Sequence, residues 1–189
     1  LQVMDREETV LDEWVTDGEP HVMEKLVVGE TYILRELSPA EGYVTAEPVS
    51  FTVEDTEDIQ FVIMEDDITK VEISKRDLAK GEELPGAHLQ VTDQEGVVVD
   101  EWISQEVPHR ITKLVAGGTY ILTETRPADG YVTAEPVTFV VEDTGEIQKV
   151  TMEDDITKTE IFKVDTADGK NLAGAALQII DREGKIVYE

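Results

Sequence analysis

Thr119-Tyr120-Ile121-Leu122-Thr123-Glu124-Thr125-Arg126-Pro127-Ala128-Asp129-Gly130-Tyr131 is an apolar alternation that runs into a turn. Tyr120, Leu122 and Glu124 are two apart, so a strand places all three on one face. Pro127-Ala128-Asp129-Gly130 has turn composition, with Pro fixing φ and Gly tolerating positive φ. The inner row of this strand ends on a carboxylate. An unpaired buried charge is costly, so Glu124 predicts charged partners on other strands.

Two further strands show the same device. Val71-Glu72-Ile73-Ser74-Lys75 places Val71, Ile73 and Lys75 on one face. Ile147 to Asp154 places Val150, Met152 and Asp154 on one face. Side-chain parity thus directs Lys75, Glu124 and Asp154 to the same interior. Asp155 follows at once, and a bulge would exchange it for Asp154. On residue pattern alone, a buried or edge salt bridge and a covalent link between amine and carboxyl both remain open.

The stretch also recurs. Thr31-Tyr32-Ile33-Leu34 precedes Thr119-Tyr120-Ile121-Leu122 by 88 residues, and Gly42 to Val49 matches Gly130 to Val137 without change. Leu1-Gln2-Val3 returns as Leu89-Gln90-Val91 and again as Leu177-Gln178-Ile179, at the same 88-residue offset. This period exceeds that of the usual solenoids and predicts one small self-sufficient unit per repeat. The expected organisation is residues 1–67, a repeat lacking its first strand; 68–155, a complete repeat; and 156–189, the truncated start of a third. The chain opens on Leu1 in mid-pattern, which suggests an excised or processed piece. Glu65-Asp66-Asp67-Ile68-Thr69 leads directly into the next strand without a Gly/Ser linker, so a short, stiff joint is expected.

Within the complete repeat, period-two alternation predicts about seven strands: Val71–Lys75, Ala87–Asp93, Val97–Ile103, His109–Leu114, Thr119–Glu124, Val137–Glu142 and Ile147–Asp154. Turn signals separate them, the pattern of an all-β sandwich.

The 189 residues carry a net charge of −27, with 40% hydrophobic and 31% charged residues. That charge opposes binding to nucleic acid or to anionic membranes. The acids are interleaved with apolar alternation, unlike a disordered acidic tail. Without cysteine, disulfides and thiolate metal sites are excluded. No apolar run is long enough for a membrane span.

The segments Ile73-Ser74-Lys75-Arg76-Asp77, Leu84-Pro85-Gly86-Ala87 and Tyr120 to Tyr131 resemble the Cna B-type (SpaA-like, prealbumin-like) domains of Gram-positive pilins and surface adhesins. The Tyr-x-Leu-x-Glu-x-x-x-Pro-x-x-Gly-Tyr pattern is the most specific element, and the resemblance covers the whole 88-residue unit. It implies tandem Greek-key, inverse immunoglobulin-like sandwiches. It also implies an intramolecular isopeptide bond between Lys75 and Asp154, promoted by Glu124. Many relatives carry Asn where this chain has Asp66 and Asp154; with Asp, water leaves in place of ammonia. The triads of the other copies are incomplete: Glu36 and Asp66 have no lysine, and Lys163 has no Glu or Asp. A segment around Lys163 could supply the first strand to the first repeat of another molecule, a route to self-association.

The resemblance implies a structural stalk or spacer of an extracellular, cell-wall-anchored adhesin or pilus-like fibre, its signal and anchor lying outside this sequence. The expected partners are the neighbouring repeats of the same chain. No turnover enzyme and no cofactor are expected. The alternative is a ligand-binding adhesin module for a host protein or glycan. Near-identical copies favour the spacer, because a binding tip is usually unique. Acidic clusters such as Glu54-Asp55-Thr56-Glu57-Asp58 lack the order of a calcium loop, so solvated loops and no metal site are expected, with weak Ca²⁺ binding at the joints as the minor alternative. His21 and His109 follow prolines at equivalent places and suggest a structural surface role. Trp14 and Trp102 suggest core or inter-repeat packing.

Overall fold

In the computed structural model, residues 1–188 are described. They form two compact units, Leu1–Ile156 and Thr157–Glu189. All regular structure among the described residues is β.

The second repeat contains seven strands: β5 (Lys70–Asp77), β6 (His88–Thr92), β7 (Val98–Ile103), β8 (His109–Thr112), β9 (Thr119–Arg126), β10 (Val137–Val140) and β11 (Ile147–Asp154). One sheet has the order β10-β9-β6-β7 and the other β11-β5-β8. The first and last strands, β5 and β11, pair in parallel, and every other neighbour pair is antiparallel. The inner rows meet between the sheets. Val71, Ile73, Ile111, Val150 and Met152 from one sheet pack on Leu89, Val91, Tyr120, Leu122 and Phe139 from the other. This is the inward half of each alternating strand, as a sandwich requires.

The first repeat has the counterpart of only one of these sheets. β1 (Gln2–Met4), β2 (Val10–Glu13), β3 (Thr31–Arg35) and β4 (Val49–Thr52) form the order β2-β1-β3-β4. These strands occupy the places of β6, β7, β9 and β10. The stretches equivalent to β8 and β11 contain no strand among the described residues. The reason lies in the ladder of the complete repeat. There β5 is the middle strand of its sheet and the only sheet partner of both β8 and β11. Among the described residues no strand of the first repeat pairs with the stretches equivalent to β8 and β11 as β5 does in the second. Its core is correspondingly small: Val3, Tyr32 and Leu34, with partly buried side chains around them.

The joint between these repeats is built from specific contacts. Thr45 donates to Asp143 from both its backbone N–H (2.8 Å) and its hydroxyl (2.7 Å). Lys70 Nζ donates to Asp67 Oδ2 (2.6 Å) and to the Gly145 carbonyl (2.9 Å). Lys113 Nζ donates to the Tyr43 hydroxyl at 3.0 Å. Two glycines make this approach possible. A Cβ on Gly42, at φ +82°, would lie 2.7 Å from the Lys113 carbonyl oxygen, and one on Gly145 would lie 2.5 Å from Asp67 Oδ2.

The unit Thr157–Glu189 contains β12 (Ile179–Ile180) paired with β13 (Ile186–Tyr188) and a bridge between Val164 and Asn171. The segment of Lys163 corresponds to β5 in sequence but is not a strand, and Lys163 is exposed.

Candidate functional site

Lys75, Glu124 and Asp154 meet in the interior of the second repeat. Each sits where an inner apolar row ends, on β5, β9 and β11 respectively. Lys75 is 1% exposed, Glu124 4% and Asp154 1%. Lys75 Nζ donates to Asp154 Oδ1 and lies 2.9 Å from Glu124 Oε1. Asp155 is exposed, so the strand runs to its end without the bulge that would have exchanged the two aspartates. In the parallel register Lys75 is opposite Met152, and Asp154 is opposite Asp77. The lysine stem therefore reaches one pleat along to its partner.

The backbone orients Glu124. The Ala134 N–H donates to Glu124 Oε2 at 2.8 Å, which leaves Oε1 for Lys75. The same loop engages the lysine strand, since the Tyr131 hydroxyl donates to Asp77 Oδ2 at 2.7 Å. It also holds the exit of the aspartate strand, where Val132 N–H donates to the Asp155 carbonyl (2.9 Å). One loop thus ties together the strands that carry the three groups.

Burial drives the Asp154 carboxyl above its ordinary value; the bond and charge of Lys75 oppose this, and Glu124 reinforces it. Two buried oxygens, Asp154 Oδ2 and Glu124 Oε1, have no hydrogen-bond partner. Glu124 Oε1 is close to Lys75 Nζ but not aligned for a bond. Buried acceptors without partners are uncommon in folded proteins. Here the two belong to adjoining carboxyls around one amine.

The incomplete triads look different. Glu36 is buried and accepts the Ala46 N–H at 2.8 Å, as Glu124 accepts that of Ala134. Asp66 and Lys163 are exposed.

One arrangement was missed in the sequence. His109 stacks on Trp102 with ring centroids 4.1 Å apart, and its Nε2 lies 2.8 Å from Asp100 Oδ2. Trp102 and Asp100 are on β7 and His109 on β8, so the clasp bridges the edges of the two sheets. The first repeat repeats it with Trp14, His21 and Asp12 at 4.1 and 2.8 Å. The signal was available, because Asp, Trp and His recur at identical spacing in both copies. Among the described residues no group of three or more His, Asp or Glu side chains is placed to hold a metal ion.

A family model described as the SpaA prealbumin-like fold domain matches residues 1–67 and 69–156. The chain belongs to this family. The SpaA-type fold accounts for the helix-free sandwich and for the two copies of one unit. Among solved structures, the Bacillus anthracis TIE protein is 30% identical with a TM-score of 0.50, over 83% of this chain and 31% of that one. The chain thus spans less than a third of that relative. The shaft pilin SpaA of Lactobacillus rhamnosus GG is 15% identical with a TM-score of 0.42, over 69% and 64% of the two chains. A pilus-presented adhesin is 37% identical with a TM-score of 0.35, over 39% and 17%. No curated protein matches the chain. Among the described residues no helix is long and apolar enough to cross a membrane.

Proposed function

We propose that this chain is a spacer segment of a surface adhesin or pilus-like fibre, and that its second repeat locks itself with an amide between Lys75 and Asp154. The observation that carries the reading is a lysine 1% exposed, held between two buried carboxyls at the junction of the first and last strands.

Moving the Lys75 proton to Asp154 removes two charges from a low-dielectric interior. The amine lone pair then attacks Asp154 Cγ. Glu124 accepts a proton from Nζ and returns it to the departing oxygen. A C–N bond forms, a C–O bond breaks, one water leaves, and Glu124 ends as it began. Folding holds the reactants together, and proximity supplies much of the rate. The unpartnered oxygens fit this course: Asp154 Oδ2 can leave with the water, and Glu124 Oε1 can take the proton from Nζ and pass it on. The step occurs once per chain, so it is self-processing and not turnover. By analogy with a disulfide closing a long loop, the bond would stabilise the repeat by about 4 kcal/mol.

The stalk role is supported by the joint. Contacts from Thr45, Lys70 and Lys113 leave little freedom between the two repeats, and a rod transmits force better than a tether. Attachment to a cell wall and an extracellular setting follow from the same reading.

Intact mass tests the bond. The full chain should weigh one water less than its sequence, with the loss mapped to a peptide joining residues 75 and 154. Glu124→Ala should restore the full mass, and Thr125→Ala should not. A wild-type chain of unmodified mass would overturn the proposal.

A further inference from the structure

The two repeats are alike along most of their length but differ on one face. In β11 the residues alternate: Val150, Met152 and Asp154 are buried, while Ile147, Lys149, Thr151 and Glu153 are exposed. The equivalent segment of the first repeat is Ile59-Gln60-Phe61-Val62-Ile63-Met64-Glu65-Asp66. Its inward positions, Val62 and Met64, match Val150 and Met152. Two of its outward positions differ, with Phe61 for Lys149 and Ile63 for Thr151, while Ile59 matches Ile147 and Glu65 matches Glu153. Across the outer face of the same sheet, Val22 stands for Arg110, which in the second repeat pairs with Glu72.

Part of the alternation persists although this segment has no strand partner, at Val62 and Met64. Met64 packs against the core of the first repeat. Ile59 is 80% exposed, Phe61 84% and Ile63 72%, whereas Val62 is 37% exposed. A first strand joining this repeat would pair along the edge and leave 59, 61 and 63 outward, as 147, 149 and 151 are in the complete repeat. The exposure of these three side chains is therefore written in the parity of the segment. Exposed apolar side chains grouped together and rimmed by polar residues mark an interaction site more often than ones scattered singly.

We propose that Ile59, Phe61 and Ile63 form a docking stripe for a basic protein segment that sets apolar side chains between lysines or arginines. Charge selects this occupant. Glu54, Asp55, Glu57 and Asp58 precede the stripe, and Glu65 and Asp66 follow it, with no basic residue between Val53 and Asp67. A second copy of the chain would press two such acidic rims together, each molecule already carrying −27. A cationic rim around an apolar centre satisfies both features at once. The stripe does not depend on the cross-link, whose residues are in the other repeat.

The second repeat supplies the test, since it shows which residues the fold accepts at these places. A short synthetic peptide alternating lysine with valine is titrated into the full chain and followed by two-dimensional NMR at moderate salt. The amides of residues 59–63 should shift saturably, and a glutamate–valine peptide should produce no shift. Phe61→Lys with Ile63→Thr should weaken binding at least about tenfold. Lys149→Phe with Thr151→Ile should create a second site on the second repeat. Equal binding by the Phe61→Lys/Ile63→Thr chain, or no binding by wild type, would overturn the proposal. So would concentration-dependent dimerisation in sedimentation that this pair of changes abolishes, because the occupant would then be a second copy. The mass loss of the cross-link should be the same in all these variants.

Discussion

Two copies of one repeat end in different structures, and one strand separates them. In the second repeat β5 pairs with both β8 and β11, and the inner rows of two sheets close over Leu122. In the first repeat the sheet equivalent to β10-β9-β6-β7 is present alone, and its inner row faces segments that form no strand. The local alternation of residues 59–64 matches that of β11, yet no ladder forms. Strand propensity is therefore not the limiting factor. A β-strand gains its hydrogen bonds only from neighbours, so losing the central strand of three removes the reason for the other two.

The largest expected contrast is in local stability. Amides of β9 in the second repeat should exchange only through global unfolding, while those of β3 should exchange through smaller openings. The difference should be about a hundredfold or more, corresponding to a few kcal/mol. Proteases should first cut residues 15–30 and 53–63, where the first repeat has no strands. Hydrogen exchange read by NMR checks this directly. Similar protection of β3 and β9 would mean that the first repeat closes its core in solution by another route.

A second contrast lies in the cores. Leu122 is 0% exposed between two sheets, and its counterpart Leu34 is 6% exposed beneath one. Leu122→Ala should leave a cavity that stiff surroundings cannot fill and cost about 3–5 kcal/mol. Leu34→Ala should cost about 2 kcal/mol or less, since the small core around it can collapse. Calorimetry should show two transitions, with each change moving only its own. Equal losses would show that the first repeat is as tightly packed as the second.

The triad was legible in the sequence because a strand has only two faces. Once Val71, Ile73, Tyr120, Leu122, Val150 and Met152 are assigned inward, Lys75, Glu124 and Asp154 have nowhere else to point. The same rule separates Asp154 from Asp155. What parity cannot supply is the neighbour across a gap. The stacking of His109 on Trp102 joins edges of different sheets, and the Thr45–Asp143 contact joins different repeats. Neither partner lies on the other's strand, so alternation is silent about both. The collapse of β8 and β11 in the first repeat was hidden for a related reason. Their inward apolar positions, Met23, Val62 and Met64, are kept, and what differs is the strand partner, which alternation within a segment does not report.

The smallest expected effect concerns the joint, and it too is written as a difference between copies. Gly145 in the second repeat stands where the first repeat has Glu57. A side chain at 145 would begin 2.5 Å from Asp67 Oδ2 and add a second carboxylate beside it. Gly145→Glu should therefore push Asp67 and Lys70 apart, yet leave both repeats folded, because the fold already accepts Glu at this place. Acid should act on the same contacts. The Thr45 hydroxyl and N–H hold Asp143 below its ordinary 3.8, and Lys70, with the Ile68 N–H, holds Asp67 below it. Groups depressed in this way favour the joined state above that ordinary value. Their contribution is lost as pH falls through the lower value of the joined state. Residual dipolar couplings should report one common alignment for the two repeats at neutral pH and separate alignments for Gly145→Glu. Wild type should approach the behaviour of the variant only well below pH 3.8. A common alignment retained by Gly145→Glu would place the stiffness of the joint in the Gly42–Lys113 approach instead.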